Sequence, residues 1–212
     1  MSLHSSTTLE KFVEILDAQT FDIIFVQPFD YVRMAEKFGY LPIATRNELL
    51  SAVLVVKPDS DIRTIADLKR KTIALPAKIA AVSYLTQSLL TENKLQSGVD
   101  VTLTHHRSHV SCMQQVLIGS AHACGSAAPA VRFFEQQMGV TFRTVGESLK
   151  VPHTLFAVHP RVPAAIREKL AQRILNWGNH SEGQQLLQRG RLTSFRVAKD
   201  DEYDVIRAML KK

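Results

Sequence analysis

Apolar positions along the chain recur in two rhythms that alternate. Leu9, Phe12, Val13 and Leu16 fall at i, i+3, i+4 and i+7, the spacing of one apolar helix face. Thr7 with Glu10 forms a capping-box pattern that starts this helix near Thr8. Short strand-sized segments then predict strands at Asp22–Val26 and Leu41–Ala44, with a helix beginning near Phe29 between them. The middle of the chain repeats this grammar. Strands are expected at Thr72–Leu75, Val99–Thr104, Ala121–Gly125 and Thr141–Val145, and helices at Ala80–Glu92, Ser108–Ile118 and Pro129–Gln137. Leu155–Val158 returns as a strand, and everything after His159-Pro160 reads as helical: Pro163–Trp177, Glu182–Gln188 and Asp201–Leu210. Strands alternating with helices predict an α/β protein with mostly parallel sheets.

Composition fits that picture. With 45% apolar and 22% charged residues over 212 positions, the chain buries one or two cores. No run approaches the roughly 18 apolar residues of a membrane span, and the longest candidate, Leu49–Val56, is strand-sized. No basic, then apolar, then small-residue leader opens the sequence. The net charge of +6 raises the question of nucleic acid, and its distribution answers it. From Arg161 to Lys212, eleven Lys or Arg face six Asp or Glu, interleaved with Ile166, Leu170, Ile174 and Trp177 and with no recognised DNA-binding motif. A solvated helix surface is expected there, and nucleic acid is not expected as a partner.

Cys112 and Cys124 are the only cysteines. Without Cys-x-x-Cys spacing a metal or redox site is not expected. Two free, buried thiols are the expectation, with a disulfide as the alternative in an oxidising compartment.

The stretch Asp61–Tyr84 carries the most information. It reads as a helical turn Ile65–Leu68, a basic turn, a buried strand and a loop that opens a long helix, where a ligand meets backbone N–H groups lacking helical partners. The pattern Ile-x-Asp-Leu-x-x-Lys-x-Ile-Ala within it resembles the entry into the second lobe of type II periplasmic solute-binding proteins. Phe21–Tyr31, Tyr40–Ala44, Leu50–Val56, Ser108-His109 and Ala121–Gly125 narrow the resemblance to the phosphate- and phosphonate-binding receptors of ABC transporters.

The resemblance implies a two-lobed type II fold. Residues 1–57 and 155–212 would form lobe 1, and 58–154 lobe 2, joined by two hinge strands. It also implies a strand, helix and strand ahead of Leu9–Ala18 for which seven residues before Thr8 leave no room. The first lobe is therefore expected to be incomplete, and a secretion signal to have been lost with the same segment from a periplasmic protein. A small anionic or polar organic solute would sit between the lobes. Its contacts would be Pro28, Phe29, Asp30 and Tyr31 from lobe 1, and Lys78, Ile79, Ala80, Ala81, Val82, Ser83, Tyr84, His109 and Ser126 from lobe 2. A transporter permease or a sensor module would be the downstream partner. Two departures stand out: the turn that is rich in Ser and Thr in phosphonate binders keeps only Ser83, and His122 replaces an Asp of the family's pattern.

Enzymatic chemistry has little support. No Gly-x-Ser-x-Gly, Gly-x-Gly-x-x-Gly or phosphate-loop Lys motif occurs, and neither cofactor nor metal is expected, since His105 and His106 lie on opposite faces of a strand. A rival of a different class is the ligand-sensing effector domain of a LysR-like transcription regulator, which shares the fold, or of a membrane receptor. Oligomeric state is not readable from the sequence.

Overall fold

Thr8, one residue later than the capping-box pattern suggests, caps the first helix: its Oγ1 accepts from Lys11 N–H at 3.2 Å. The computed structural model describes residues 3–18 and 21–211. The chain begins α1 (Leu9–Ala18), β1 (Ile23–Val26), α2 (Pro28–Phe38), β2 (Leu41–Arg46), β3 (Leu49–Leu50) and β4 (Val53–Val56). It continues through β5 (Thr72–Leu75), α3 (Ala81–Glu92), β6 (Thr102–His105), α4 (His109–Leu117), β7 (Ala123–Ser126), α5 (Ala128–Met138) and β8 (Arg143–Glu147). It closes with β9 (Val151–Pro152), β10 (Leu155–Val158), α6 (Ala164–Leu175), α7 (Ser181–Arg189), β11 (Phe195–Val197) and α8 (Asp204–Leu210). Two compact units result, Met1–Leu50 with Val151–Lys212, and Ser51–Lys150.

The second unit is a five-stranded sheet in the order β6-β5-β7-β4-β8. Its two faces follow from alternation along β4. Leu54 and Val56 join Ile73, Leu75, Leu89 and Leu90 in one apolar cluster, while Val53 and Val55 join Ala74, Met113, Val116 and Phe134 in another. Successive side chains on a strand point to opposite faces, so α3 covers one face and α4 with α5 the other. β5 pairs in parallel with both β6 and β7, whereas β4 is antiparallel to β7 and to β8. β4, expected within lobe 1 (residues 1–57), thus has its hydrogen-bond partners in the second unit.

Local chemistry explains the approach to β5. Asp67 Oδ2 accepts from Arg63 N–H (3.0 Å), Thr64 N–H (2.9 Å) and the Thr64 hydroxyl (2.9 Å), capping the 3-10 turn Ile65–Leu68. Leu68 behind it is fully buried. The Asp-Leu of the motif is therefore a cap and an anchor. Arg143 pins the same loop, donating to the carbonyls of Pro58 (2.7 Å), Ser60 (2.7 Å) and Ile62 (2.8 Å).

The first unit carries a four-stranded sheet, β1-β10-β2-β11. Its recorded pairings are all antiparallel, which corrects the expectation of mostly parallel sheets. β10 enters late in the chain and inserts between β1 and β2, so two strands of one direction are separated by a third of the other. β11, in a segment read from sequence as helical, is a further correction. Three residues are too short to show a period of two, and β11 is a strand because it pairs with β2 and buries Phe195 against Phe156 and Trp177. α2 ends at Gly39 (φ +72°), whose N–H donates to Ala35; only glycine takes that left-handed conformation without strain. In the second unit, the strand expected at Val99–Thr104 starts later. Residues 96–101 form a turn closed by Gly98 N–H to Val101 O at 2.8 Å and Gln96 N–H to Asp100 Oδ2 at 3.0 Å.

Candidate functional site

Three parallel strands of the second unit end on one edge of the sheet, each leading directly into a helix. β5 leads to α3 with N-cap Ala80, β6 to α4 with N-cap Ser108, and β7 to α5 with N-cap Ala127. The first N–H groups of a helix have no internal acceptors, and the aligned peptide dipoles place partial positive charge there. Three such termini at the carboxyl ends of adjacent parallel strands make an edge suited to an anion.

The side chains around that edge are mostly committed. In the loop 76–84, the Ser83 hydroxyl donates to Ala77 O at 2.9 Å and the residue is fully buried. The single hydroxyl that sequence reading offered to a ligand thus ties the turn together. Ala80, Ala81 and Val82 are buried, Ile79 and Tyr84 are half-buried and Lys78 is exposed, so the loop offers backbone and one cation. His105 Nδ1 lies 3.1 Å from Pro76 O, linking β6 to the same loop, and His106 Nε2 lies 3.0 Å from Thr104 Oγ1. His122 works at the opposite edge, its Nδ1 accepting from Thr72 N–H at 3.1 Å.

His109 differs from these. It is the first residue of α4, and its Nδ1 lies 2.8 Å from the Ser126 hydroxyl at the end of β7. Ser108, beside it, accepts from Ser111 N–H at 3.2 Å, closing the helix cap. Burial pushes the imidazole below its ordinary value, so near neutral pH one ring nitrogen is a donor and the other an acceptor. If Nδ1 accepts from Ser126, Nε2–H is the donor left for another group. Burial therefore moves the charged form of the ring to lower pH.

Gly125 brings α3 close to β7: a Cβ there would stand 2.5 Å from Thr86 Oγ1 and 2.6 Å from Leu75 Cδ2. Beneath the edge, Cys112 and Cys124 form a disulfide with Cα atoms 5.8 Å apart. This corrects the expectation of two free thiols. The first turns of α4 pack directly on β7, within the Cα range a disulfide requires, a proximity that spacing in sequence does not reveal.

The first-unit candidates occupy the start of α2. Pro28 takes the first helical turn after extended Gln27, where its missing N–H costs nothing. Phe29, Asp30 and Tyr31 are all buried. Asp30 Oδ1 and Oδ2 accept long hydrogen bonds from Arg33 (3.4 Å) and Gln27 (3.3 Å), and burial raises its carboxyl to about 6 against the pull of Arg33. Tyr31 donates to Asp200 Oδ1 at 2.5 Å and packs edge-on against Tyr203 at 4.7 Å. Burial, then the Asp200 carboxylate, holds the phenol well above its ordinary value. Arg207 completes this network, reaching Asp200 Oδ1 (2.6 Å) and Asp204 Oδ1 (2.7 Å). Sequence reading missed Asp200, Asp204 and Arg207, because Tyr31 and Asp200 lie 169 positions apart and no local pattern joins them. Among the described residues no group of three or more His, Cys, Asp or Glu is placed to hold a metal ion, and no helix is long and apolar enough to cross a membrane.

Comparison with known proteins places this architecture. No curated protein matches the chain by sequence. Among solved structures it is similar to the XAC2383 protein of Xanthomonas citri bound to ATP, at 15% identity and a TM-score of 0.79, covering 96% of this chain and 82% of that one. It is also similar to PhnD1 of Prochlorococcus marinus in complex with methylphosphonate, at 13% identity and TM-score 0.79, covering 97% and 83%. A third is the binding-protein component of an ABC phosphonate transporter from Pseudomonas aeruginosa, at 13% identity and TM-score 0.75, covering 95% and 71%. At these identities the likeness shows the type II periplasmic-binding-protein fold. The family described as ABC transporter, phosphonate, periplasmic substrate-binding protein matches residues 1–203; the chain belongs to that family, whose members are solute-binding components of transporters and not enzymes.

Proposed function

We propose that this solute-binding protein takes up a small oxyanion, phosphonate-like in shape, at the carboxyl edge of β5, β6 and β7. The observation that carries the reading is the His109–Ser126 pair, 2.8 Å apart, which joins the starts of two helices at the edge where a third, α3, also begins. Ala80 N–H and Ser83 N–H close the turn on Ala77 O (2.9 Å) and Ala80 O (2.8 Å), so the Val82 N–H at the start of α3 and the His109 ring supply donors to oxygen atoms, with Lys78 as the nearby exposed cation. Methylphosphonate, held by PhnD1 of Prochlorococcus marinus, is the first ligand to try. The family is periplasmic and delivers small solutes to ABC-transporter permeases, so a permease is the proposed partner. The family match does not favour the LysR-like regulator.

With Ser83 turned inward, the loop offers fewer hydroxyl donors than a turn rich in Ser and Thr. The proposal therefore extends to singly charged sulfonates and carboxylates beside phosphonates. Calorimetry with methylphosphonate, phosphate, methanesulfonate and acetate tests this. At least one is expected to bind, and His109→Ala to weaken it about ten- to a hundredfold, the worth of a hydrogen bond to a charged group. Replacing His105 or His106 by Ala, whose rings serve the protein's own groups, is expected to weaken it less. Equal affinity in all three variants, or no binding of any of the four anions to the wild type, would overturn the reading.

A further inference from the structure

We propose that the Cys112–Cys124 disulfide is a positioning device for the oxyanion site, holding the first turn of α4 against the end of β7 so that His109 and Ser126 stay in register. His109 and Cys112 are three residues apart on α4, and Cys124 and Ser126 two apart on β7. Those spacings put each pair on one face of its own element. The imidazole–hydroxyl contact of 2.8 Å and the disulfide are therefore successive rungs between the same helix and the same strand. One rung is exchangeable and the other covalent.

The lower rung sits where solvent does not reach. Cys112, Cys124 and Ser126 are all fully buried, and Met113 and Val116 pack in the same cluster as the two cysteines. Apolar packing of this kind resists separation but is non-directional and fixes the helix along its axis less sharply than a bond. The upper rung has little tolerance. A displacement of about 1 Å would take His109 Nδ1 beyond hydrogen-bond distance of Ser126 Oγ. His109 is also held below its ordinary protonation range by burial alone, so any loosening that admits water has a visible consequence. A disulfide forms in an oxidising compartment, which agrees with the family's periplasmic setting.

The functional consequence rests on the oxyanion reading above; the positioning itself does not. Two proteins test it: wild type refolded with its thiols reduced, which lacks only the bond, and the volume-conserving variant Cys112→Val/Cys124→Ala. NMR of the His109 imidazole is compared with that of the oxidised protein, together with affinity for methylphosphonate. Positioning predicts that the Nδ1 hydrogen-bond signature is lost, that the imidazole titrates closer to its ordinary pKa of about 6.5, and that affinity falls about three- to tenfold. The loss should vanish in the His109→Ala background. If either protein folds with the imidazole signature and titration unchanged, even at a lower melting temperature, the disulfide is a staple for stability alone and the proposal falls. If the imidazole changes while oxidised wild type binds no oxyanion, positioning stands and the oxyanion reading fails.

Discussion

Asp30 and His153 show how single buried groups set the molecule's response to pH. His153, in the first unit, accepts from Thr154 N–H at 2.7 Å through Nδ1; burial, aided by the Arg46 charge, pushes it down to about 4. The unfolded chain takes up this proton first, so the stability tied to neutral His153 is present above pH 6.5 and is lost as pH falls toward 4. Asp30 has the opposite sign. Its carboxyl is raised to about 6, so its contribution is full below the ordinary carboxylate value and lost as pH rises from about 4 to 6. Each shift is worth about 3 kcal/mol when complete, and the two oppose each other between pH 4 and 6. Thermal unfolding at pH 4.5 and 7.5 is expected to show Asp30→Asn gaining more at the higher pH and His153→Gln more at the lower. Equal changes at both pH values would count against this assignment. Little of it is legible in sequence, where Asp30 stands out only as a polar residue in an apolar start of helix. The helix start at His109, by contrast, was legible because a Ser cap precedes it.

At the scale of elements, local rules read well wherever the pattern is local. The helices at 9–18, 81–92 and 204–210 follow from apolar spacing and from chemistry at their ends. β6 and β11 were misplaced or missed because pairing, not composition, makes them strands. The same limit hid the disulfide and the Tyr31–Asp200 hydrogen bond, which exist only once distant segments meet. Gly125 illustrates a constraint between elements that sequence displays without explaining. Its missing side chain admits Thr86 and Leu75, so α3 lies close against β7. Gly125→Ala is expected to destabilise by about 1–3 kcal/mol, the usual cost of overpacking, and to weaken oxyanion binding by displacing the start of α3. Chemical denaturation read beside calorimetry checks both, and a variant as stable as wild type with unchanged affinity would contradict the close-packing account.

At the scale of the molecule, the type II fold was legible because its motifs are spread along the whole chain, and the family match over residues 1–203 rests on the same breadth. The sense of the first sheet was not, since the insertion of β10 between β1 and β2 depends on the chain's return 110 or more positions later. The excess basic charge of 161–212 lies partly in ion pairs, as with Arg196–Glu202 at 2.7 Å and Arg207–Asp204 at 2.7 Å. That accords with a solvated surface. The central claim is that an oxyanion is held where three helices begin at one edge of the second unit's sheet. The most direct measurement is a backbone amide NMR titration with methylphosphonate. Saturable shifts are predicted at residues 80–83, 109–110 and 127–128; shifts confined to other segments, such as α6 and α7, with those amides unmoved, would contradict the account.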